Sequence, residues 1–416
     1  MARYFIKTFG CKVNQAESDS LYTALMKMGM QHASDVAEAD FVIIYTCTVT
    51  GEADRKVRKE LRRATRLLNI ASIVVTGCAA NLNKEELESL DEKIRVICSQ
   101  DEIVNFFSSH SETLPITKDG SDSTNLDKPH HERIRMPIKV QDGCEDFCSY
   151  CIVPFARGEC KSVNPHVIIE QIQKAAERGV KEAVLTGINL GNYANSSSSN
   201  CLNLAQLLHQ IRTKTDMHRI RLSSIEPRHV TNDLLVELSE EKGILCEHLH
   251  IPLQSGSDYV LGDMNRGYST SEYLQLVQKI RAVKPHTAIT TDIIVGYPSE
   301  SDEDFQATLD TVRKVGFSKV HIFRYSPREG TAASHLKPLN PRIVKKRAHL
   351  LREQAEQDAL QYRKSRAGHQ LEMIVEQLDE DEGMITGTTR EYLRLTLAAD
   401  NHNPGDIVFT KAENAL

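Results

Sequence analysis

The sequence of 416 residues is long enough for two to four domains, since a typical domain has about 100 to 200 residues. With 40% hydrophobic and 26% charged residues and a net charge of -6, its composition excludes a disordered or collagen-like chain. No apolar run approaches the roughly 20 residues that span a bilayer, and no signal-peptide pattern is present, so we expect a cytoplasmic protein without a membrane partner. Ten cysteines are the unusual count, and without an export signal they favour metal ligands or catalytic groups over disulfides.

Three strand-like segments follow one another in the first hundred residues, at 3–9, 40–45 and 72–76. Helical periodicity over 14–27 and 56–68 follows the first two of them, which predicts an open parallel α/β sheet. A cysteine comes just after each strand: Cys11, Cys47 and Cys78. Because the carboxyl ends of parallel strands meet at one edge of such a sheet, we predict that these cysteines converge although more than thirty residues separate them.

The remainder of the chain divides by composition into three parts. Residues 109–135 are polar and predict an exposed linker after an N-terminal domain of residues 1–108. Six strand-like segments alternate with helices over residues 136–367, which predicts a full or partial parallel (β/α) barrel that ends in a long polar helix. Short strands split by glycines over residues 368–416 predict a small C-terminal β-barrel.

A second group of cysteines is compact in sequence. It has the spacing C-x3-C-x2-C directly after a predicted strand and consists of Cys144, Cys148 and Cys151. Three cysteines within eight residues rarely arise by chance, so the spacing indicates a metal site. Three thiolates can bind three irons of a 4Fe-4S cluster and leave the fourth iron open to a chelating ligand, whereas a closed zinc site recruits four ligands. A zinc loop completed by a distant His or Cys is the alternative.

The C-x3-C-x2-C spacing with Tyr150 before the last cysteine resembles the motif of radical S-adenosylmethionine (radical SAM) enzymes. In that class the open iron binds S-adenosylmethionine, and one electron from the cluster cleaves this cofactor to a 5′-deoxyadenosyl radical. The resemblance implies that Tyr150 lies near the adenine of the cofactor.

Further segments extend the resemblance over nearly the whole chain, to the radical SAM methylthiotransferases. They are KTFGCKVNQAES, TCTVTGEAD, TGCAA, QDGCEDFCSYCIVPFARG, VLTGINLGNY, LSSIEP, HLHIPLQSGSD and TDIIVGYP. The resemblance implies two 4Fe-4S clusters, one on Cys144, Cys148 and Cys151 and an auxiliary one on Cys11, Cys47 and Cys78. It also implies S-adenosylmethionine as cofactor and a TRAM-like C-terminal domain that contributes to RNA contact. Beyond the cluster ligands, we predict no particular catalytic residue.

The segments TFGCKVNQAES and TCTVT are most similar to those of family members that add a methylthio group to carbon 2 of threonylcarbamoyl-adenosine in tRNA. The expected partners are a tRNA anticodon loop and an electron donor protein that the sequence does not identify. Members that act on isopentenyl-adenosine in tRNA, or on an aspartate of a ribosomal protein, are the alternatives. Two alternatives from other function classes are an iron-sulfur electron carrier and an iron-sulfur RNA-binding sensor. The carrier would need neither a barrel nor a basic helix, and the sensor would need no cofactor pocket.

Residues at the predicted carboxyl ends of the barrel strands are candidates for binding the cofactor, because active sites of such barrels lie at that rim. Glycines there let backbone groups approach a ligand closely, and a buried carboxylate such as Asp292 needs a partner. Ser255 is equally a candidate helix cap. The candidate set is Tyr150, Thr186, Gly187, Glu226, Ser255, Asp292 and Gly296.

One predicted helix is strongly basic, with seven cations in twelve residues. Its apolar stripe, which is Val57, Leu61, Ala64 and Leu68, leaves the cations on the remaining surface. Because the helix follows Cys47, we predict that it contacts RNA phosphates, with a solvated helix face as the alternative. The candidate RNA-binding residues are Arg55, Lys56, Arg58, Lys59, Arg62, Arg63 and Arg66. Residues 371–416, by contrast, contain ten acidic and three basic side chains, so any RNA contact there needs a local face.

The other cysteines and a histidine pair have ordinary interpretations. Cys98 and Cys246 lie in apolar strand contexts and are expected in the core, whereas Cys160 and Cys201 have no partner at ligand spacing. His248 and His250 lie two apart on a strand and face the same way. They could bind a ligand, but we favour core residues with satisfied hydrogen bonds.

Overall fold

A computed structural model describes residues 2–67, 69–111, 133–193, 202–241 and 243–411. Within those ranges the chain forms two compact units, neither of which is continuous in sequence. The first unit runs up to residue 132 and also includes 143–145 and 151–159. The second comprises 133–142, 146–150 and 160 onward. Most of the predicted linker, residues 112–132, lies outside the described residues.

The first unit contains a five-stranded parallel sheet in the order β2-β1-β3-β4-β5. Its strands are β1 (Arg3–Thr8), β2 (Gln31–His32), β3 (Phe41–Thr46), β4 (Ser72–Gly77) and β5 (Ile94–Val96). Its helices are α1 (Lys12–Lys27), α2 (Gly51–Thr65), α3 (Cys78–Leu82), α4 (Lys84–Glu88), α5 (Gln100–Ser111) and α6 (Val153–Arg157). The predicted α/β sheet is therefore confirmed.

Both faces of this sheet are covered, which explains why β3 is apolar throughout. Val42 and Ile44 pack in one apolar cluster, and Ile43 and Tyr45 pack in a separate cluster on the other face. Helix α2 begins at Gly51, five residues before the start that periodicity predicted, because the Oγ1 of Thr50 accepts a hydrogen bond from the Ala53 amide at 3.2 Å.

The second unit is built on six parallel strands that alternate with helices. The strands here are β6 (Arg135–Lys139), β7 (Gln141–Asp142), β8 (Lys161–Ser162), β9 (Glu182–Thr186), β10 (Arg219–Leu222), β11 (His248–His250), β12 (Ala288–Val295) and β13 (Lys319–Arg324). Of these eight, β7 and β8 form a short antiparallel pair, and the other six are the parallel strands. The helices are α7 (Pro165–Glu177), α8 (Leu204–Lys214), α9 (Asn232–Ser239), α10 (Asp258–Asp263), α11 (Thr270–Val283) and α12 (Asp302–Val315).

The six parallel strands form the predicted partial barrel. They lie in two three-stranded sheets, β10-β9-β6 and β11-β12-β13, which isolated pairs at Ile220–Leu245 and Ser224–His250 connect. On β12, Ile289 and Ile293 belong to the large apolar cluster under the helices, so Thr290 and Asp292 lie on the opposite, inner face.

The C-terminal part of the second unit is a separate layer. Helix α13 (Pro341–Ser365) leads to an antiparallel sheet in the order β16-β15-β14-β17, in agreement with the predicted small β-domain. Its strands are β14 (Gln370–Asp379), β15 (Met384–Thr389), β16 (Arg394–Ala398) and β17 (Ile407–Lys411).

A buried ion cluster joins the barrel to this C-terminal sheet. Glu182 binds Arg219 at 2.7 Å and Arg221 at 2.8 Å, and all three side chains are fully buried. The two guanidinium groups also donate to the main-chain carbonyls of Thr388 and Thr389, at 2.8 and 2.9 Å. Acidic side chains of the C-terminal sheet complete the cluster, since Glu372 contacts Arg219 and Glu376 contacts Arg135. The excess of acidic residues in the tail therefore serves in part to bind barrel arginines.

We expect Glu182→Gln to lower the free energy of unfolding by about 3–5 kcal/mol, because two buried guanidinium groups lose their carboxylate. Burial acts to raise the pKa of Glu182, but Arg221, Arg219 and Arg135 together lower it from 4.5 to about 2. This stabilisation is present above pH 4.5 and is lost as the pH falls toward 2. Denaturant unfolding at neutral and acidic pH measures both effects, with the exposed Glu170→Gln as control. Equal stability of Glu182→Gln and wild type would contradict the prediction.

Candidate functional site

The three N-terminal cysteines converge as the sheet topology predicts. Cys11 caps α1 after β1, Cys47 follows β3, and Cys78 begins α3 after β4. These three strands are neighbours, so their carboxyl ends lie side by side. Burial raises the pKa of the Cys78 thiol to about 11, and the adjacent Cys11 and Cys47 add to this rise.

Two glycines allow the segments that carry the three cysteines to approach one another closely. Three thiols on closely packed segments are a donor set that suits an iron-sulfur group. Gly10 has a φ of +101°, and a Cβ there would lie 2.8 Å from the Cβ and 3.2 Å from the Sγ of Cys47. Gly77 has a φ of +91°, and a Cβ there would lie 2.6 Å from the main-chain oxygen of Thr46. A side chain at either position would therefore collide with the segment that carries Cys47.

A buried arginine that the sequence analysis did not select lies against this group. Arg157, on α6 of the first unit, donates from Nε to the Sγ of Cys78 at 3.2 Å. Its Nη1 donates to the Oε1 of Glu17 at 2.8 Å, and its Nη2 donates to the Oδ1 of Asn14. Asn14 is 1% exposed, which is unusual for an amide and marks it as part of the same network.

The second group, Cys144, Cys148 and Cys151, lies on the continuous loop between β7 and α6, and all three are partly buried. Within the second unit, Arg266 donates from Nη1 to the Sγ of Cys148 at 3.2 Å. Burial raises the pKa of Cys148, and Arg266 opposes that rise. Three thiols on one short continuous loop, one of which accepts a hydrogen bond from a cation, are a donor set that suits an iron-sulfur cluster.

Barrel residues hold the middle of this loop. Ser149 donates from its main-chain N to the carbonyl of Met264 at 3.0 Å and from Oγ to the carbonyl of Asp263 at 2.7 Å. Asp146 accepts from the Nδ2 of Asn189 at 2.8 Å and pairs with Arg228. These contacts fix Cys148 between two anchored residues.

Glu226 is a cofactor candidate with a direct charge partner. It pairs with Arg266, which also donates from Nε to the hydroxyl of Tyr268 at 3.2 Å. Burial raises the pKa of Glu226, and Arg266 opposes the rise. Arg266 therefore connects a predicted cluster ligand to a predicted cofactor residue, and no spacing in the sequence indicated this.

Apart from Asp292, the other cofactor candidates are either closely packed or hydrogen-bonded within the second unit. Tyr150 packs on an apolar cluster that includes Tyr297 and Met264, and Gly187 has no room for a side chain because a Cβ would lie 2.9 Å from the Oε1 of Gln141. The remaining three make internal contacts: Thr186 to the carbonyl of Ile138, Ser255 to the hydroxyl of Thr308, and the Gly296 amide to Glu300. Helix α10 is capped by Ser257 rather than by Ser255.

Asp292 has the partner that its strand position requires. Its carboxylate lies 3.3 Å from the Nε2 of His250, whose Nδ1 lies 2.9 Å from the Oγ1 of Thr290. His321 completes a polar group whose potential ligand atoms all lie within 4.8 Å of one another. His248 is 3% exposed, and its Nε2 lies 3.0 Å from the Oγ1 of Thr290, so it lies in the core as we favoured.

Helix α2 has the predicted amphipathic form. Val57, Leu61 and Ala64 are buried, and Leu68 lies outside the described residues. Lys56, Arg58 and Arg63 form ion pairs with acidic neighbours. The remaining four cations are exposed: Arg55, Lys59, Arg62 and Arg66.

One cysteine prediction was wrong. Cys98 is exposed, because the edge strand β5 ends at Val96 and the chain then leaves the sheet. Cys246 is fully buried as predicted. Cys160 is partly buried, with its Sγ 3.6 Å from the Nδ2 of Asn192, and Cys201 lies outside the described residues.

Comparison with family models and solved structures identifies the two main parts of the chain. The radical SAM superfamily model matches residues 138–312, and the model described as uncharacterized protein family UPF0004 matches residues 3–99. A radical S-adenosylmethionine methyltransferase from Kitasatospora setae, TsrM, shares the fold with a TM-score of 0.56 at 14% identity, covering 80% of this chain and 77% of its own. The chain thus has the fold and domain of a radical SAM enzyme, which uses a 4Fe-4S cluster and S-adenosylmethionine.

Relatives of higher identity narrow the class. The threonylcarbamoyladenosine tRNA methylthiotransferase MtaB of Thermotoga maritima is 38% identical over 94% of this chain and 90% of its own length. The MtaB of Bacillus subtilis is 33% identical over 99% and 94%. The tRNA-2-methylthio-N(6)-dimethylallyladenosine synthase of Geobacillus kaustophilus is 33% identical over 94% and 76%. This chain belongs to the radical SAM methylthiotransferase family of enzymes.

Among the described residues, no helix is both long enough and apolar enough to cross a bilayer.

Proposed function

We propose that this enzyme adds a methylthio group to carbon 2 of threonylcarbamoyl-adenosine next to the tRNA anticodon. The observation that carries the proposal is that the chain contains two three-cysteine groups, one at adjacent strand ends of a parallel sheet and one on the loop between β7 and α6. Relatives named MtaB, at 38% and 33% identity, favour this nucleoside, and the relatives named for dimethylallyladenosine make it the second candidate.

The residues have separate proposed roles. Cys144, Cys148 and Cys151 would bind the radical cluster, which when bound supplies the electron that cleaves S-adenosylmethionine. Cys11, Cys47 and Cys78 would bind a second, auxiliary cluster. Arg266 holds a fixed positive charge between Cys148 and Glu226, so it connects the proposed cluster ligand to the proposed cofactor residue.

Two basic surfaces support RNA as the partner. The first is the exposed face of α2. The second is a cavity of about 740 Å³ in the second unit, lined by β13, α13 and the start of β16. Four cations and two aromatic rings lie on its wall, with Glu356 as one acidic neighbour: Lys319, Arg352, Arg363, Arg394, Phe323 and Tyr392. Cations suit phosphates and the exposed ring of Phe323 suits a base, whereas the ring of Tyr392 already stacks on His248. We therefore propose this cavity as the local face that an acidic C-terminal domain would need to contact RNA.

Mass spectrometry of tRNA nucleosides tests the substrate. Cells that lack this protein should lose the methylthio form of threonylcarbamoyl-adenosine and recover it on complementation. Loss of the methylthio form of isopentenyl-adenosine instead would establish the second candidate. Unchanged tRNA together with an unmodified ribosomal-protein aspartate would reject a tRNA substrate.

Loss of two cations on α2 should weaken tRNA binding through electrostatics alone. We expect the double variant Lys59→Ala/Arg62→Ala to bind more weakly and to show a log–log salt dependence that is shallower by about 2, because about one counterion-releasing contact is lost per cation. The control is Lys279→Ala/Lys314→Ala, which removes two exposed cations from α11 and α12. Equal salt slopes for all three proteins would identify α2 as a solvated face.

A further inference from the structure

Arg157 uses all three of its guanidinium nitrogens inside the first unit. Its side chain is 6% exposed, and the carboxylate of Glu17 that balances its charge is 14% exposed. The Nε–H points at the Sγ of Cys78, while Nη1 and Nη2 are occupied by Glu17 and Asn14. Glu17 and Asn14 therefore hold the two terminal nitrogens of the guanidinium group, and the edge that carries Nε faces Cys78.

The same network fixes the segments that carry the other two cysteines. Asn14 donates from Nδ2 to the carbonyl of Phe9 at 2.7 Å and to the carbonyl of Thr46 at 2.9 Å. Phe9 lies two residues before Cys11, and Thr46 lies directly before Cys47. One asparagine and one arginine thus tie together the three strand ends.

Helix α6 is itself anchored, so the arginine is not free to move away. Asn81, on α3, donates from Nδ2 to the carbonyl of Ala156 at 2.7 Å. Cys78 lies at the start of the same helix. The distance between Cys78 and Arg157 is thereby held through the backbone as well as through the side chain.

We propose that Arg157 is a positioning residue for the auxiliary cluster and that its hydrogen bond to Cys78 raises the reduction potential of that cluster. The proposal rests on the assignment of Cys11, Cys47 and Cys78 as ligands under the proposed function. A cationic donor to a ligand sulfur stabilises the more negative, reduced state, and hydrogen bonds to the sulfurs are among the factors that set iron-sulfur potentials.

The test measures the auxiliary cluster without interference from the radical cluster. Full-length protein with Cys148→Ala is reconstituted anaerobically, and its midpoint potential is followed by EPR during redox titration. Arg157→Lys and Arg157→Gln are compared in this background. We expect the potential to fall in the order Arg, Lys, Gln, with Gln at least 59 mV below Arg, a tenfold change in the one-electron equilibrium. Arg366→Gln, which removes another buried arginine from a glutamate partner, should leave the potential unchanged.

The outcomes separate this inference from the proposed function. If the wild-type chain binds only about four irons, the second cluster and the proposed function fail together. If the auxiliary cluster forms and Arg157→Lys and Arg157→Gln both have the potential of the parent, the inference alone is overturned. If the Arg157→Gln variant loses its iron, the Arg157→Lys variant decides the question. A purely structural role of Arg157 would leave the reduction potential of the auxiliary cluster in Arg157→Lys equal to that of the parent.

Discussion

Cys148→Ala is expected to abolish cleavage of S-adenosylmethionine. Cys148 is the central residue of the C-x3-C-x2-C loop and lies between the anchored residues Asp146 and Ser149, so its loss removes one of three proposed iron ligands at a fixed position. Release of 5′-deoxyadenosine under reducing conditions should fall to the background of protein without iron. Methylthio transfer should disappear with it.

The matched control for this variant is Cys246→Ala, since Cys246 is fully buried but belongs to neither cysteine group. Wild type and Cys246→Ala should bind about eight irons, and Cys148→Ala about four. Formation of 5′-deoxyadenosine by Cys148→Ala at the wild-type rate would rule out this loop as the site of radical formation.

Cys47→Ala is expected to separate the two activities. Cys47 is buried at the end of β3, in contact distance of the Gly10 turn, and it belongs to the group proposed to hold the auxiliary cluster. The variant should still release 5′-deoxyadenosine but should form no methylthio nucleoside. The measurement pairs a cofactor-cleavage assay with mass spectrometry of the same tRNA.

A product formed by Cys47→Ala would remove the auxiliary cluster from the reaction. Loss of both activities would show instead that Cys47 supports the first unit as a whole. Cys98→Ala is the control for the first unit, because Cys98 is exposed and belongs to neither three-cysteine group. It should retain both activities.

The sequence predicted those parts of the fold and site that depend on local order along the chain. Cys11, Cys47 and Cys78 follow strands with clear patterns, and parallel pairing then brings the strand ends together. The C-x3-C-x2-C loop is local by definition. Cys98 was misplaced because burial at a sheet edge depends on where the strand ends, which apolar content alone does not determine.

The arginines beside the cysteines could not be predicted in this way. Arg157 lies 79 residues from Cys78 in sequence, and Arg266 lies 118 residues from Cys148. Neither pair has a periodic or motif relation, because each arises from the packing of separate elements. A buried guanidinium becomes visible only when its carboxylate partner and the nearby sulfur are seen together.

The discontinuous first unit limits how this enzyme can be divided or recombined. A fragment that ends at residue 111 would contain all five strands of the sheet but would lack α6, and so would leave Asn14, Glu17 and Asn81 without Arg157 and the Ala156 carbonyl. A chimera joined between residues 112 and 142 would combine the sheet of one parent with the α6 of another. Such exchanges preserve the network only when the two parents agree at positions 14, 17, 81 and 157, so these positions must be inherited as a set.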